Sequence, residues 1–188
     1  MTLLRTRCSS FIATSLDGFI SRPDGAIDWL EEANKAIPAG EDCGYADHMA
    51  TIDAIVMGRH TFEQVLSFRQ WPYGDAPVYV LSSSLPAVPA EAPRTVSLHD
   101  CTPGELVAFA KHRGHRNLYV DGGQTIQRFV AEERLDEITL TVIPVLLGEG
   151  RPLFGSLPQP QAWLRHASSR VFPFGFVQNR YVFPGAGT

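Results

Sequence analysis

One short stretch, residues 55–63, constrains the fold of this chain more than any other. Residues 53–57 read as a buried strand, and a helical pattern begins directly after Gly58. Glycine allows a tight turn and lets a ligand approach the backbone closely. The first turn of such a helix presents unpaired N–H groups and the positive end of the helix dipole, which together bind anions, phosphate above all. The stretch therefore predicts an α/β chain with an anion site at this corner, although a plain corner with a solvated Arg59 would show the same pattern.

The side chains that follow this glycine suit an anionic ligand. Arg59 adds a fixed positive charge, His60 adds a titratable one, and the Thr61 hydroxyl can cap the helix or donate a hydrogen bond. A local basic spot is informative here because the whole chain carries a net charge of −4. That balance argues against general binding to nucleic acid or to an acidic membrane surface.

A second corner of the same kind occurs later in the chain. Residues 116–120 read as a buried strand that runs into Asp121-Gly122-Gly123-Gln124-Thr125 and then into a helix. Two such corners on parallel strands could hold the two ends of a diphosphate. The chain contains no G-x-G-x-x-G fingerprint, so the dinucleotide-binding motif of Rossmann folds is excluded.

Composition and cysteine usage fit one globular domain over residues 1–188. Hydrophobic residues make up 44% and charged residues 19%, as is ordinary for such a domain. The three cysteines form no C-x-x-C pair and the six histidines show no metal-ligand spacing, so we expect neither a disulfide framework nor a metal site. Residues 1–7 lack the apolar region of a secretory signal and no apolar run is long enough to span a bilayer, so we expect a cytoplasmic protein.

Two segments before the first corner could cover a ligand. Residues 16–25 hold two Asp-Gly pairs on either side of Phe19-Ile20, which fits either a plain hairpin or a mobile flap with an apolar tip. Residues 42–52 read as a helix with Tyr45, Met49 and Ile52 on one face. Asp42 falls on that same face, where it is either a ligand-facing carboxylate or merely a helix-start residue.

The last third of the chain changes character. Up to about residue 131 strands alternate with helices, which is typical of a parallel sheet. Residues 138–147, 163–170 and 176–183 then read as strands without a helix between them, and residues 148–155 as a Gly-rich loop. We predict a mixed, mostly parallel central sheet flanked by helices, with antiparallel strands at the C-terminal end.

Taken in order and spacing, the motifs resemble the dihydrofolate reductase-like fold, and more closely the reductase domain of the bifunctional riboflavin-biosynthesis deaminase–reductase in its stand-alone form. The resemblance covers nearly the whole chain. It rests on Ser15-Leu16-Asp17-Gly18-Phe19-Ile20, Asp28-Trp29-Leu30, Met57-Gly58-Arg59-His60-Thr61-Phe62-Glu63, Leu81-Ser82-Ser83, Asp121-Gly122-Gly123 and Leu146-Leu147-Gly148-Glu149-Gly150-Arg151-Pro152-Leu153-Phe154. The deaminase half is absent, since neither H-x-E nor P-C-x-x-C occurs.

The resemblance implies that the cofactor is NADPH. The residues expected at its phosphates are Gly58, Arg59, His60 and Thr61, with Gly122, Gly123, Gln124 and Thr125 at the second corner. Leu81, Ser82 and Ser83, together with Arg59, would lie at the 2′-phosphate, while Ala13, Gly18 and Ile20 would flank the nicotinamide.

On the substrate side the resemblance leaves two carboxylates as rivals for the proton donor. Asp42 lies at about the offset before Gly58 at which dihydrofolate reductases carry their pterin-facing carboxylate, and Asp28 is the alternative. The expected apolar wall of the substrate pocket consists of Trp29, Tyr45 and Met49. Arg151 would hold a substrate phosphate or be a plain surface residue.

These observations predict an NADPH-dependent reductase that transfers hydride to a C=N or C=O bond of a small polar heterocycle or sugar-like substrate. The substrate class spans that of 5-amino-6-(5-phosphoribosylamino)uracil reductases and that of dihydrofolate reductases. The alternative is a non-catalytic NADPH-binding sensor or partner module. We also expect a homodimer, because exposed apolar strands such as residues 138–147 usually find cover.

Overall fold

The computed structural model describes residues 5–156 and 161–185, which form ten strands and five helices. The strands are β1 (Arg7–Ser15), β2 (Phe19–Ser21), β3 (Ala54–Gly58), β4 (Val78–Leu81), β5 (Val96–His99), β6 (Asn117–Asp121), β7 (Glu137–Ile143), β8 (Arg151–Pro152), β9 (Arg165–Val171) and β10 (Val177–Val182). The helices are α1 (Asp28–Asn34), α2 (Tyr45–Met49), α3 (Arg59–Leu66), α4 (Pro103–His112) and α5 (Gly123–Ala131).

Eight of the strands form one sheet in the order β5-β4-β3-β6-β1-β7-β10-β9. All neighbours from β5 to β7 are parallel, whereas β10 runs antiparallel to both β7 and β9. The predicted mixed sheet with antiparallel C-terminal strands is thus confirmed. Helices α3, α4 and α5 follow β3, β5 and β6, whereas β4 and β5 are joined by residues 82–95 without a helix, since a parallel pair needs a crossover segment of either kind.

The sheet is buried on both faces near its middle. On one face a cluster that includes Leu106 of α4 and Phe129 of α5 packs against β3, β4 and β6, and on the other Phe62 of α3 packs against Ile55 and Val78. This two-sided burial explains why β3 and β4 read as continuous apolar runs. Each fully buried side chain of this size stabilises the fold by about 1.5–3 kcal/mol.

Three predicted boundaries were wrong. Strand β7 ends at Ile143 instead of residue 147, because Pro144 has no N–H to donate to the ladder. Helix α2 covers only Tyr45–Met49, so Asp42 lies before it and not on its apolar face. Part of the predicted loop 148–155 forms β8, which pairs antiparallel with β2 in a separate two-stranded sheet.

No helix in the described ranges is long and apolar enough to cross a membrane. The prediction about a signal segment concerned residues 1–7, of which residues 1–4 lie outside the described ranges. All three cysteines are free thiols; Cys8 and Cys43 are buried.

Candidate functional site

The two glycine corners lie side by side at the carboxyl edge of the sheet. Strands β3 and β6 are parallel neighbours, and Met57 pairs with Asp121, the last residues before the two corners. Helices α3 and α5 therefore begin at adjacent points of this edge. In open α/β sheets, ligands bind beyond the carboxyl ends of the strands.

The threonine in the first turn of each helix packs against the glycine at the start of the other helix. A Cβ added to Gly122 would overlap the Thr61 hydroxyl of α3, and one added to Gly58 would lie 2.9 Å from the Thr125 hydroxyl of α5. Gly122 also has a φ of 88°, in the region that favours glycine. The two glycines are thus required by the interlocking of the two helix starts, and this brings the two sets of backbone N–H groups together.

Neither helix start is capped by the protein itself. Helices α3 and α5 have glycine at the N-cap position, no side-chain cap and no acidic residue in the first turn. Helix α4 differs, since Thr102 and Glu105 form a complete capping box at its start. The open N–H groups and dipole ends of α3 and α5 are therefore available to an anion.

Arg59 and His60 stand at the mouth of the first corner. One guanidinium nitrogen of Arg59 lies 3.1 Å from Nε2 of His60 and another lies 3.4 Å from a carboxylate oxygen of Glu63. Because a guanidinium only donates, Nε2 of His60 is the acceptor of that contact. The Arg59 side chain remains 38% exposed, so its charge is accessible to a ligand.

A cleft of about 940 Å³ opens in front of the two corners, within the range of small-molecule sites. Residues that the sequence analysis assigned to ligand binding line much of it: Ala13, Ile20, Tyr45, Gly58, Arg59, His60, Thr61, Gly122, Gly123, Gln124, Thr125 and Arg151. The fold therefore gathers residues from six separate stretches of the chain at one place.

Asp121 is the carboxylate that this cleft contains at the end of β6. Its Oδ2 accepts a hydrogen bond from the Tyr73 hydroxyl at 3.1 Å, and its Oδ1 accepts one from the Gly122 N–H at 2.8 Å. Burial raises the pKa of Asp121, while the hydrogen bond from Tyr73 acts in the opposite direction. A carboxyl group that is reluctant to ionise is suited to hold and donate a proton.

Aromatic side chains surround this carboxyl group. Phe11 and Tyr45 meet edge to face at 5.7 Å, and Tyr45 and Tyr119 at 6.4 Å, and all three line the cleft. Burial, and then the charge of Asp121, raise the pKa of Tyr45 to about 12, so this hydroxyl stays protonated. The site thus combines flat apolar walls with hydroxyl groups, which suits a planar ring with polar substituents.

Residues 16–25, for which a plain hairpin and a flap were the two interpretations, do not form a hairpin with β1; we call this segment the flap. Strand β2 pairs with β8 instead, and the Ile20 side chain lies against Gly123 at the start of α5. Asp17 fixes the base of the segment, since its carboxylate accepts hydrogen bonds from the Leu147 and Gly148 N–H groups. Ile20 is thereby held over the second corner.

The tip of the same segment reaches helix α3. The Gly25 carbonyl accepts a hydrogen bond from Gln64 of α3 at 3.3 Å. The Arg151 guanidinium lies beside Gly25 and donates to the Pro23 carbonyl at 3.2 Å. Arg151 therefore serves at least to brace the flap, and it does so at the rim of the cleft.

The structure does not bring either predicted proton donor into this cleft. Asp42 is exposed, and its carboxylate accepts hydrogen bonds from the Gly44 and Ala46 N–H groups at the start of α2. Asp28 is exposed as well and pairs with Arg22 at 2.7 Å. The helix-face argument for Asp42 failed because the chain turns at Cys43 and Gly44, both of positive φ, before α2 begins.

Two predicted wall residues also lie elsewhere. Trp29 is buried among Cys43, Ile143 and Phe172, and with Asp28 it borders a second, smaller cavity. Met49 packs into the core under α2. Their places at the main cleft are taken by residues whose position only the fold reveals: Phe11, Ile27, Leu30, Phe68, Tyr73 and Tyr119.

The remaining predicted cofactor residues do not line the cleft: Leu81, Ser82 and Ser83 lie near the first corner, and Gly18 lies in the flap. Leu81 pairs with Gly58 across the β3–β4 ladder, so Ser82 and Ser83 follow β4 at the same sheet edge. The Ser82 hydroxyl accepts hydrogen bonds from the Ser84 and Leu85 N–H groups. Gly18 stands at the start of the flap with a φ of 87°.

Asp121 could have been found in the sequence. A carboxylate at the end of a buried strand, directly before Gly-Gly and a helix, lies at the ligand-binding edge by topology alone. Tyr73 offered no such signal, because it belongs to a loop whose path depends on the packing of Trp71 and Phe62.

Comparisons with known proteins agree with this geometry. The chain is 37% identical over 175 residues to the uncharacterized protein YwjB of Bacillus subtilis (strain 168), covering 92% of this chain and 95% of that one. A Shewanella sp. PV-4 protein assigned provisionally to riboflavin biosynthesis has a crystal structure that matches with a TM-score of 0.87 at 38% identity, over 95% of this chain and 99% of that one.

A more distant structure shares the fold. The diaminohydroxyphosphoribosylaminopyrimidine deaminase/5-amino-6-(5-phosphoribosylamino)uracil reductase of Thermotoga maritima matches with a TM-score of 0.70 at 15% identity, covering 95% of this chain and 57% of that one. Residues 8–177 match the family described as the RibD C-terminal domain. The chain therefore belongs to the RibD C-terminal domain family.

Proposed function

We propose that this protein is an NADPH-dependent reductase that transfers hydride to a C=N or C=O bond of a small polar heterocycle or sugar-like substrate. The observation that carries the proposal is the cleft in which two uncapped helix starts lie beside a carboxyl group of raised pKa. The first feature suits a dinucleotide diphosphate and the second suits proton delivery. The family of the chain, which is reductase-related, supports the same assignment.

The residues present fit such a cofactor. The open N–H groups at the starts of α3 and α5 would hold the phosphates, Arg59 would face the 2′-phosphate with Ser82 and Ser83, and Ile20 would cover the nicotinamide. A bound NADPH supplies the hydride. The protein orients the two reactants and keeps water from them, which accounts for much of the rate enhancement in such sites.

The proton would come from Asp121. Its carboxyl group lies at the cleft, and its two oxygens are held by Tyr73 and the Gly122 N–H. When the substrate nitrogen or oxygen gains negative charge, a protonated Asp121 can donate to it. The aromatic rings of Phe11 and Tyr45 would hold the acceptor ring flat beside it.

The cofactor assignment is tested by an Arg59→Ala variant titrated separately with NADPH and NADH. We expect the NADPH dissociation constant to rise about 10–100-fold, since a hydrogen bond to a charged group contributes about 1.5–3 kcal/mol, and the NADH constant to change little. Tryptophan fluorescence and calorimetry report the binding. Arg69→Ala, an exposed arginine beyond the C-terminal end of α3, is the matched control.

Failure of both nucleotides to bind the wild-type protein would refute the reductase proposal. Binding of NADPH without turnover on any acceptor would instead favour a sensor or partner module. That alternative gains weight from one observation only, that neither Asp28 nor Asp42 faces the cleft.

We also infer that the chain forms a homodimer through its C-terminal edge. Strand β9 is the last strand of the sheet, and all seven of its residues are exposed, including Val171 at 73%. An open strand edge can pair with the same strand of a second copy across a two-fold axis.

Light scattering on Val171→Lys should show a shift from dimer towards monomer, whereas Ala87→Lys, at an exposed site in the 85–93 connection, should not. A wild-type monomer at all concentrations would contradict the inference.

A further inference from the structure

Tyr73 brings a hydroxyl group to the floor of the cleft from outside any helix or strand. It lies in the loop between α3 and β4, and only 7% of it is exposed. Its hydroxyl donates to Oδ2 of Asp121 at 3.1 Å, although the two residues are 48 positions apart in sequence. The contact is therefore a product of the tertiary fold and not of a local motif.

A chain of aromatic rings fixes the position of that hydroxyl. Trp71 meets Tyr73 edge to face at 5.4 Å and Phe62 at 6.5 Å. Phe62 is fully buried in α3, the helix whose start forms the first glycine corner. The loop is thus anchored to the same helix that would hold the cofactor phosphates.

The other groups around Asp121 do not replace this contact. The titratable groups that face it are Tyr73 from the loop, Tyr119 from β6 and Tyr45 from α2. The Tyr119 hydroxyl donates to the Phe11 carbonyl at 2.9 Å, and a hydroxyl has a single hydrogen to donate. The Tyr119 hydroxyl also lies near enough to Asp121 to lower its pKa, but less than Tyr73 does. Since the Tyr119 hydrogen is directed to the Phe11 carbonyl, Tyr73 is the tyrosine that donates to the Asp121 carboxyl group.

We propose that Tyr73 is a positioning residue, which orients the Asp121 carboxyl group towards the cleft and sets the pH range over which that group carries a proton. The inference rests on the proposed function, in which Asp121 is the proton donor. The direction in which Tyr73 changes the pKa of Asp121 follows from the hydrogen bond between them. Donation by Tyr73 stabilises the ionised form, so it lowers the pKa of Asp121 against the larger effect of burial, which raises it. Removal of the hydroxyl should raise that pKa further.

The test is a pH titration of Tyr73→Phe in protein labelled with ¹³C at the aspartate carboxyl carbons. The Asp121 signal is assigned by its loss in Asp121→Asn. We expect the midpoint of Asp121 to move to higher pH in Tyr73→Phe and to stay in place in Tyr79→Phe. Tyr79 is an equally buried tyrosine of β4 that packs against His99 and Phe109 in the other core cluster. An unchanged Asp121 midpoint in a folded Tyr73→Phe protein would overturn the proposal.

A second variant tests the opposite direction and does not remove the hydroxyl. Tyr73→3-fluorotyrosine has a more acidic phenol and donates a stronger hydrogen bond, so the Asp121 midpoint should move to lower pH. A shift to higher pH, or none, would count against Tyr73 as the donor. This variant also covers the case in which Tyr73→Phe does not fold.

These titrations use the protein without nucleotide, so they are independent of the reductase assignment. If NADPH neither binds nor is oxidised while the midpoints shift as expected, the proposed function fails and the role of Tyr73 towards Asp121 stands. Once an acceptor is found, the decline of turnover at high pH should move to higher pH in Tyr73→Phe. A plain loss of activity without that movement would indicate a structural role alone.

Discussion

Replacement of Asp121 by asparagine should leave NADPH binding within a few-fold of wild type and reduce turnover by about 100–10,000-fold, the usual contribution of a positioned general acid. The asparagine keeps the size of the side chain, and its single amide oxygen can accept from one of the two donors, the Tyr73 hydroxyl or the Gly122 N–H. It cannot supply a carboxyl proton. Steady-state NADPH oxidation with a working acceptor, together with a nucleotide titration, measures the two effects separately.

Asp42→Asn and Asp28→Asn are the controls that distinguish Asp121 from the two carboxylates predicted from the sequence. Both carboxylates are exposed and occupied with local contacts, the first at the start of α2 and the second with Arg22. We therefore expect turnover within about two-fold of wild type for both, as for surface substitutions in general. A large loss in Asp42→Asn with normal activity in Asp121→Asn would show that the proton donor lies elsewhere and that the segment before α2 moves in the working enzyme.

Asp121→Asn should also change how the free energy of unfolding depends on pH. The pKa of Asp121 is raised in the folded protein above the ordinary value of about 3.9 in the unfolded chain. As the pH rises from the pKa of Asp121 in the unfolded chain to its higher pKa in the folded protein, the unfolded state releases the proton first, so the free energy of unfolding falls. Asp121→Asn removes this contribution, and its stability should therefore decline less than that of wild type over that window. Chemical denaturation at a series of pH values measures it.

The largest loss of stability is expected for Gly122→Ala. The added methyl group would overlap the Thr61 hydroxyl, and the φ of 88° strains any residue with a Cβ. Overpacking and backbone strain each cost about 1–3 kcal/mol, so we expect a destabilisation of about 2–5 kcal/mol. Because the clash pushes the starts of α3 and α5 apart, the affinity for NADPH that we propose should fall as well.

Gly114→Ala separates the two causes. Gly114 follows α4 with a φ of 87°, but nothing lies within 4 Å of the added Cβ, so only backbone strain should appear. A second comparison, Gly122→Ala combined with Thr61→Ala, removes the hydroxyl that the methyl group meets and should restore part of the stability. Equal denaturation midpoints for Gly122→Ala and Gly114→Ala would contradict the interlocking of the two corners.

Local physical chemistry was sufficient for the framework of the site. The buried-strand pattern of β3 ends at Gly58 and that of β6 ends near Gly122, so the sequence alone places both helix starts at one sheet edge. The binding of anions at a helix start is a backbone property, which needs only the order strand, glycine, helix.

The tertiary structure decided which polar side chains face the cleft and which groups they contact. Asp42 was placed on a helix face by counting residues, but the left-handed conformations of Cys43 and Gly44 delay α2 and turn the carboxylate to its N-terminus. Tyr73 reaches Asp121 only because Trp71 and Phe62 pack its loop against α3. The periodicity of a sequence indicates which face of a helix or strand is buried. The neighbours of a side chain depend also on loops, and the path of a loop is set by packing against residues that are distant in sequence. That is why the sequence determined the two helix starts at one sheet edge, and only the tertiary structure decided that Tyr73 meets the carboxyl group beside them.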